Sequence, residues 1–169
     1  MPISMYGASV PLFTQMLNGL SGVLDKGAAF AATKKVDQAV LLGSRLAPDM
    51  LTLTRQVQIA SDTSKMCVAR LAGIEAPKYE DNELTFDELK ARIAKTVAFF
   101  DTVTAPQVDG SEEREITIKL PSRELKFTGE RYLLNWAIPN FTFHCATAFA
   151  ILRRDGVEIG KQDFLGKVV

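Results

Sequence analysis

The strongest constraint on this chain is the spacing of its apolar residues, which recur three and four positions apart along several long stretches. Because an α-helix completes a turn in about 3.6 residues, this spacing places the apolar side chains on one helical face. The first stretch carries Val10, Phe13, Leu17, Leu20 and Leu24. We expect this helix to begin near Ser4, with a kink or a false start at Pro11. The small residues 27–33 and the polar residues 34–37 predict a loop, followed by a short helical turn.

The second helix is predicted to begin at Pro48 and to end at Gly73, since proline is tolerated in a first turn and glycine is favoured just past a helix. It is apolar on two sides, with a polar strip between them. The inner side consists of Met50, Leu53, Val57, Ala60, Ser64, Cys67 and Leu71, the outer side of Leu51, Ile59 and Met66, and the strip of Arg55, Gln58, Asp62 and Lys65. We expect a neighbouring helix to cover one apolar side and a second copy of the chain the other, giving a homodimer. The strip is expected to be a solvated face whose ion pairs contribute little.

The start of the third helix is the clearest local signal in the sequence. Thr85 and Glu88 have the spacing of a capping box, in which each side chain accepts a hydrogen bond from a free backbone N–H of the first turn. Leu84 is placed to pack on Leu89 as a hydrophobic staple. Pro106 is expected to stop this helix.

The helical spacing is interrupted once. Residues 115–120 alternate strictly between polar and apolar, and Leu125 and Phe127 continue the alternation after a Pro–Ser pair. This pattern predicts a short, half-buried β-hairpin over residues 115–128.

A fourth helical region is expected from Gly129 to Asp155. Pro139 divides it into a lead-in turn and a main helix, and Gly156 ends it, leaving an extended tail. The predicted fold is therefore mainly α: an antiparallel four-helix bundle with a small β-hairpin inserted before the last helix. A chain of 169 residues with this pattern is expected to be a single domain over residues 1–169.

The charge balance excludes several partner classes. Twenty Lys and Arg residues equal twenty Asp and Glu residues, so there is no net field to attract nucleic acid or anionic lipid. The N-terminus lacks the cationic and apolar segments of a secretion signal, and no uncharged apolar run reaches membrane-spanning length. We therefore expect no nucleic acid and no membrane as partners, and a cytoplasmic location.

Two other patterns carry no chemistry on this interpretation. Cys67 and Cys145 lie in apolar stripes, where buried thiols away from cations pack rather than react. The segment 156–161 combines glycine and lysine but lacks the spacing and the following Ser or Thr of a phosphate-binding loop.

The candidate site is centred on His144, the single histidine, which helical geometry places on the inner face of the last helix. One interpretation is a metal ligand or general base, and the other is a hydrogen-bonded core or pocket histidine. Asn140 and Thr147 lie about one turn before and after it, which is typical either of a small pocket or of a hydrogen-bond network between helices. Gln56 flanks the inner stripe of the second helix and is expected to face this cluster, as a hydrogen-bonding group.

The last helix resembles the final helix of the DinB/YfiT-like superfamily of four-helix bundles, over residues 139–144 and 148–157. The chain is more narrowly similar to a bacterial DinB-like family of unknown function, which shares the segments 46–50 and 160–166. The resemblance covers nearly the whole chain.

The resemblance implies that many superfamily members bind zinc or nickel through three histidines and that several are thiol-dependent transferases. His144 matches the second of two paired positions in the last helix, and Asn140 occupies the first. The second-helix position holds no histidine, and Gln56 is the nearest inward polar residue. One imidazole flanked by amides lacks the donors that a divalent transition metal requires, so no metal is expected; if one binds, its ligand is His144.

Three accounts of function follow. The leading one is a metal-free, cytoplasmic homodimer, bacterial by its resemblance, whose pocket near His144 binds an unidentified small molecule or is vestigial. The alternative is a metal- and thiol-dependent transferase, with His144 as ligand or base and Asn140 and Thr147 positioning the substrate. The third is a partner-binding module that uses the hairpin as its recognition edge.

Overall fold

The computed structural model describes residues 3–167, and most of them are helical. In chain order the elements are α1 (Val10–Lys34), α2 (Gln38–Leu42), α3 (Leu53–Ala72), α4 (Phe86–Phe100), α5 (Ala105–Val108), β1 (Glu115–Leu120), β2 (Arg123–Thr128), α6 (Gly129–Tyr132), a π-helical turn (Leu133–Ala137), α7 (Ile138–Arg154) and α8 (Lys161–Leu165).

The four long helices form a closed ring around one core. Helix α1 packs against α4 and α7, and α3 packs against the same two helices. Phe13 of α1 lies at the centre, with its ring edge on Phe141 of α7, 4.9 Å between centroids, and Phe100 of α4 close by. The predicted mainly α bundle is confirmed.

The predicted loop over residues 27–33 is wrong, because α1 continues through it to Lys34. Alanine favours a helix, and Gly27 lets α1 approach the side chains of Phe86 and Leu152 closely. The helix begins at Val10 after a separate turn, so Pro11 lies in its first turn and does not kink it.

The second predicted helix, α3, begins at Leu53 and not at Pro48. The segment before it forms a turn in which Met50 N–H donates to the carbonyl of Ala47. Thr52 caps the helix, because its hydroxyl accepts the backbone N–H of Arg55. A cap of this kind satisfies a free N–H, which proline in a first turn does not do. The predicted end at Gly73 is confirmed by its left-handed conformation, φ 69°.

Helix α4 begins with the predicted capping box. Thr85 accepts the N–H of Glu88 at 3.1 Å, and the Glu88 carboxylate accepts the N–H of Thr85 at 3.0 Å. The predicted staple is wrong, since Leu84 is 76% exposed while Leu89 is fully buried. Pro106 does not stop α4, which ends at Phe100; it lies instead in the first turn of α5.

The predicted hairpin is confirmed, with β1 and β2 antiparallel and Ile116 opposite Phe127. The chain then passes through α6 and the π-helical turn into α7, with Pro139 in the first turn. Gly156 ends α7 at φ 99°.

The tail after Gly156 is not extended throughout, because residues 161–165 form α8 against α1. The contact is so close that a Cβ on Gly19 of α1 would lie 2.8 Å from the carbonyl oxygen of Phe164. Among the described residues, no helix has both the length and the apolar character needed to cross a membrane.

Candidate functional site

Helices α3 and α7 bring His144 and Gln56 together. His144 is half-buried, Gln56 is 1% exposed, and His144 Nδ1 lies 2.6 Å from Gln56 Oε1. The amide nitrogen of Gln56 donates to the carbonyl of Leu51 at 3.2 Å. The side chain of Gln56 therefore links His144 to the segment that leads into α3.

These bonds define the tautomer of the imidazole. Since the amide nitrogen of Gln56 is used by Leu51, its oxygen faces His144 and accepts a hydrogen bond from Nδ1–H. Nε2 of the neutral ring then carries a free lone pair. Burial lowers the pKa of His144 below its ordinary value, which favours this neutral form at neutral pH. The site can thus offer one strong hydrogen-bond acceptor or general base.

The two other predicted site residues are placed differently. Asn140 is partly buried on α7, one turn before His144. Thr147 is buried, and its hydroxyl donates to the carbonyl of Phe143 at 2.7 Å, within its own helix. Of the predicted set, the structure therefore joins Gln56 directly to His144, while the Thr147 hydroxyl is used inside α7.

Two exposed apolar side chains belong to the segments that carry this pair. Phe143 is exposed, and its ring stands edge-on to the imidazole with 5.3 Å between centroids. Leu51, whose carbonyl binds Gln56, also has an exposed side chain. Five surface cavities of 360–530 Å³ lie elsewhere in the structure, and none of these five is lined by a predicted site residue.

The residues around His144 do not fit the metal that the superfamily resemblance implies. Zinc and nickel sites need several imidazole, thiolate or carboxylate donors, whereas Gln56 and Asn140 supply amides. Both polar ends of the Gln56 amide are already bound within the protein. Across residues 3–167, no group of three His, Cys, Asp or Glu side chains is arranged to hold a metal ion.

Both cysteines are fully buried in the core, as their apolar stripes predict. Burial raises the pKa of the Cys67 and Cys145 thiols far above the ordinary range. Neither thiol is therefore an activated nucleophile.

The polar strip of α3 is not the solvated face that its spacing predicts. Lys65 is 4% exposed and lies 2.8 Å from Asp62, and Gln58 is buried with its amide donating to Glu83. These residues belong to a network that we call the Arg92 cluster. It consists of Arg55, Gln58, Asp62 and Lys65 of α3, Asp81 and Glu83 of the α3–α4 connection, and Arg92 of α4.

Arg92 lies at the centre of this cluster, only 2% exposed. Its guanidinium contacts Glu83 at 2.9 Å and both Asp62 and Asp81 at 3.0 Å. Burial by itself would raise the pKa of Glu83, but hydrogen bonds from Arg92 and Gln58 outweigh it and the net pKa is lowered. The pKa of Asp81 is lowered in the same way, with Arg55 and Arg92 overcoming the effect of burial.

Sequence reasoning missed the Arg92 cluster because its acidic partners come from an irregular connection without periodicity. One signal was present, since Arg92 stands three residues after the core residue Leu89 and next to the core residue Ile93. A charged residue at core spacing on a helix indicates a buried ion pair and, with it, a candidate functional site.

A ring of four helices with a hairpin before the last one defines a DinB-like helical bundle. The chain is similar to a DinB family member protein from Shewanella denitrificans, whose crystal structure shares 44% sequence identity and a TM-score of 0.87. The similarity covers 96% of this chain and 92% of that chain. No curated protein matches the chain.

The family itself is narrower than the DinB-like class. The family described as Domain of unknown function (DUF1993) matches residues 5–165, and the chain belongs to it. The predicted resemblance to a DinB-like family of unknown function is thereby confirmed.

Proposed function

We propose that His144 and Gln56 form a metal-independent contact site for a small molecule. The observation that carries this proposal is the 2.6 Å hydrogen bond between them, because it holds the proton on Nδ1 and leaves Nε2 to accept a hydrogen bond from a ligand. Asn140, partly buried one turn before His144, is the second polar residue that we propose to contact such a ligand.

We further propose that the protein is a homodimer whose second copy covers the surface around His144. Phe143, whose ring stands edge-on to His144, and Leu51, whose carbonyl accepts from Gln56, both have exposed side chains, and exposed large apolar side chains are a common sign of a protein interface. A partner at this position would supply the wall that a single chain lacks there. Ile59 and Met66 belong to the predicted outer apolar side of α3 and are only partly buried. We propose that the second copy covers them as well. The cytoplasmic location stays a prediction.

Light scattering tests the dimer directly. At micromolar concentration we expect twice the chain mass of 18.6 kDa, falling toward one chain mass in Phe143→Glu, because a buried charge at an interface is costly. A matched control is Val40→Glu, since Val40 is an exposed apolar residue on α2, 61% exposed. A single species of one chain mass in the unaltered protein would contradict the dimer.

Nitrogen NMR tests the contact site. His144 is the single histidine, so its two ring-nitrogen signals need no assignment by mutagenesis. We expect compounds from a fragment library to move the Nε2 signal in the unaltered protein and not in Gln56→Leu, which loses the bond that holds the tautomer. A library that moves the signal equally in both proteins, or in neither, contradicts the proposal.

Elemental analysis separates this function from the transferase alternative. We expect less than a tenth of an equivalent, on the order of contamination, of zinc or nickel in protein purified without an affinity tag. Stoichiometric metal that is lost in His144→Ala would favour the metal- and thiol-dependent enzyme.

A further inference from the structure

The α3–α4 connection runs between its two helices without helix or strand, and we call its central residues 75–83 the strap. Within the described residues 3–167, the strap forms no backbone–backbone hydrogen bond. No strap residue is found in the described part of the apolar core or among the partly buried apolar residues packed against it. A segment that lacks both kinds of contact is expected to have low local stability.

Polar side chains of α3 and α4 hold the strap in place through its two carboxylates. Asp81 lies 2.5 Å from Arg55 and 3.0 Å from Arg92. Glu83 lies 2.9 Å from Arg92 and accepts a hydrogen bond from the amide of Gln58 at 2.8 Å. The strap is therefore held by charge and hydrogen bonding, and not by apolar packing.

The strap covers two nearly fully buried cations. The Tyr79 ring has Lys65 Nζ 3.8 Å from its centroid and the Arg92 guanidinium carbon 5.1 Å from it. Arg92 also donates to the backbone carbonyl of Glu80 at 3.1 Å. Movement of the strap away from the helices would therefore remove a cover from Lys65 and several contacts from Arg92.

The covered arrangement is incompletely hydrogen-bonded. The hydroxyl of Tyr79 and the Nε of Arg92 are buried, and neither has a hydrogen-bond partner among the described residues. Each buried polar group without a partner costs free energy relative to the same group in water. Opening lets water reach both groups, which offsets part of the free energy that is lost with the ion pairs.

The charges of the Arg92 cluster balance only while the strap is in place. Three cations then face three carboxylates: Arg55, Lys65 and Arg92 face Asp62, Asp81 and Glu83. With the strap lifted, the same three cations face Asp62 alone. Four further charged side chains line the open cavity beside the strap and balance one another: Lys78, Glu80, Glu88 and Lys95.

We propose that the strap opens while the four-helix bundle stays folded, and that opening uncovers Lys65 and Arg92 on the neighbouring faces of α3 and α4. In the closed form the carboxylates of Asp81 and Glu83 are internal counter-ions that hold the strap down. The strap thus controls the access of solvent and of other molecules to these two cations. This inference does not rest on the function proposed for His144.

Chemical labelling of Lys65 measures the opening, because the strap covers its ammonium group. We expect N-hydroxysuccinimide acetate to acetylate Lys65 in the folded, full-length protein while the buried thiols of Cys67 and Cys145 stay unreactive toward a maleimide. Peptide mass spectrometry measures all three positions, and each rate is divided by the rate in urea-unfolded protein. Cys67 is two residues from Lys65 on α3, so unfolding of that helix would expose both.

A double variant tests the role of the two carboxylates. In Asp81→Asn with Glu83→Gln, we expect acetylation of Lys65 to be faster by about tenfold or more, because hydrogen bonds to charged groups are lost. Asp49→Asn with Glu113→Gln is the matched control, since both residues are exposed, lie outside the strap and change the net charge equally.

Low urea concentrations distinguish opening of the strap from unfolding of the bundle. The effect of urea scales with the surface that a transition exposes, and the strap has no contact with the described apolar core. Below the unfolding transition, acetylation of Lys65 should therefore stay nearly constant while maleimide labelling of Cys67 rises.

The proposal is overturned if Lys65 and the two cysteines are equally protected in the unaltered protein, because the opening is then global. It is also overturned if the double variant is acetylated at Lys65 at the rate of its matched control. The nitrogen signals of His144 report on the α7 side of α3, so the outcome there is independent of the outcome at the strap.

Discussion

At the scale of single residues, the hydrogen bond between Gln56 and His144 determines what the imidazole can do. Gln56 is a neutral acceptor, so it orients the ring and favours its charged form less than a carboxylate would, while burial lowers the pKa of His144. We expect the NMR titration of this single histidine to show a pKa below the ordinary value of about 6.5. Gln56→Glu is expected to raise it, because a carboxylate at the same position favours the imidazolium. A lower pKa in Gln56→Glu than in the unaltered protein would contradict this geometry.

The sequence was sufficient to predict that Gln56 faces His144, but it was insufficient to predict the contacts of the Arg92 cluster. The inward direction of Gln56 and of His144 follows from helical spacing, because both helices are regular and long. Two of the acidic partners of Arg92, Asp81 and Glu83, lie on the irregular connection between α3 and α4. In such a connection the spacing of residues does not show where their side chains point. The assignment of Lys65 to solvent was wrong for the same reason, since a helical wheel does not show a loop that folds over it.

At the scale of elements, the ends of α4 and α3 show which local signals are strong. Thr85→Ala is expected to lower the free energy of unfolding by about 1 kcal/mol, because a free N–H of the first turn loses its acceptor. Leu84→Ala is expected to change it by less than about 0.5 kcal/mol, because the leucine side chain is exposed. Urea unfolding of both variants checks the pair. A larger loss in Leu84→Ala than in Thr85→Ala would mean that Leu84 packs on Leu89 as a hydrophobic staple after all.

The packing of α8 on α1 gives a second matched pair. A Cβ at Gly19 would come within 2.8 Å of the backbone carbonyl of Phe164, whereas a Cβ at Gly22 meets no atom within 4 Å. We expect Gly19→Ala to destabilise the protein by about 1–3 kcal/mol and to increase amide exchange in α8. Gly22→Ala should stabilise it by about 0.5–1 kcal/mol, since alanine favours the helix. Equal effects of the two substitutions would mean that α8 does not pack closely on α1 at Gly19.

Element types were more predictable than element ends. The capping box of Thr85 and the left-handed Gly73 were readable because each depends on a few adjacent residues. The start of α3 was misassigned because Pro48 and Thr52 are both acceptable first-turn signals, and the choice depends on the turn that Met50 closes. The short α8 depends on contact with α1, which no local pattern records.

At the scale of the whole molecule, α3 carries polar side chains on two of its sides, one facing α7 and one facing the α3–α4 connection. Gln56 faces α7 and binds His144, while Gln58 faces the α3–α4 connection and binds Glu83. The apolar core runs between these two sides through residues such as Val57 and Ala60, which are fully buried. A change of charge on either side therefore acts on the stability of the whole bundle through the same helix.

The dependence of stability on pH tests this arrangement. The pKa of His144 is lowered in the folded protein, so the unfolded chain takes up this proton first as the pH falls below the unfolded value of about 6.5. The free energy of unfolding is therefore highest above this pH and falls below it. The pKa values of Asp81 and Glu83 are also lowered, so their contribution is complete above about 4.3 and is lost as the pH falls further. The free energy of unfolding is therefore expected to fall in two steps on acidification.

Arg92→Met separates the two steps. The substitution leaves Glu83, whose side chain is 9% exposed, without its cation, so we expect a loss of about 3–5 kcal/mol at neutral pH. As the pH falls through the lowered pKa values of Asp81 and Glu83, these carboxylates become neutral in both proteins, so the difference between them should shrink. Glu88 and Asp163, whose pKa values are lowered by bonds outside the Arg92 cluster, keep their acid dependence in the variant. Urea unfolding across this pH range measures both curves, and a difference that is constant with pH would mean that the buried arginine stabilises the fold by packing and not by charge.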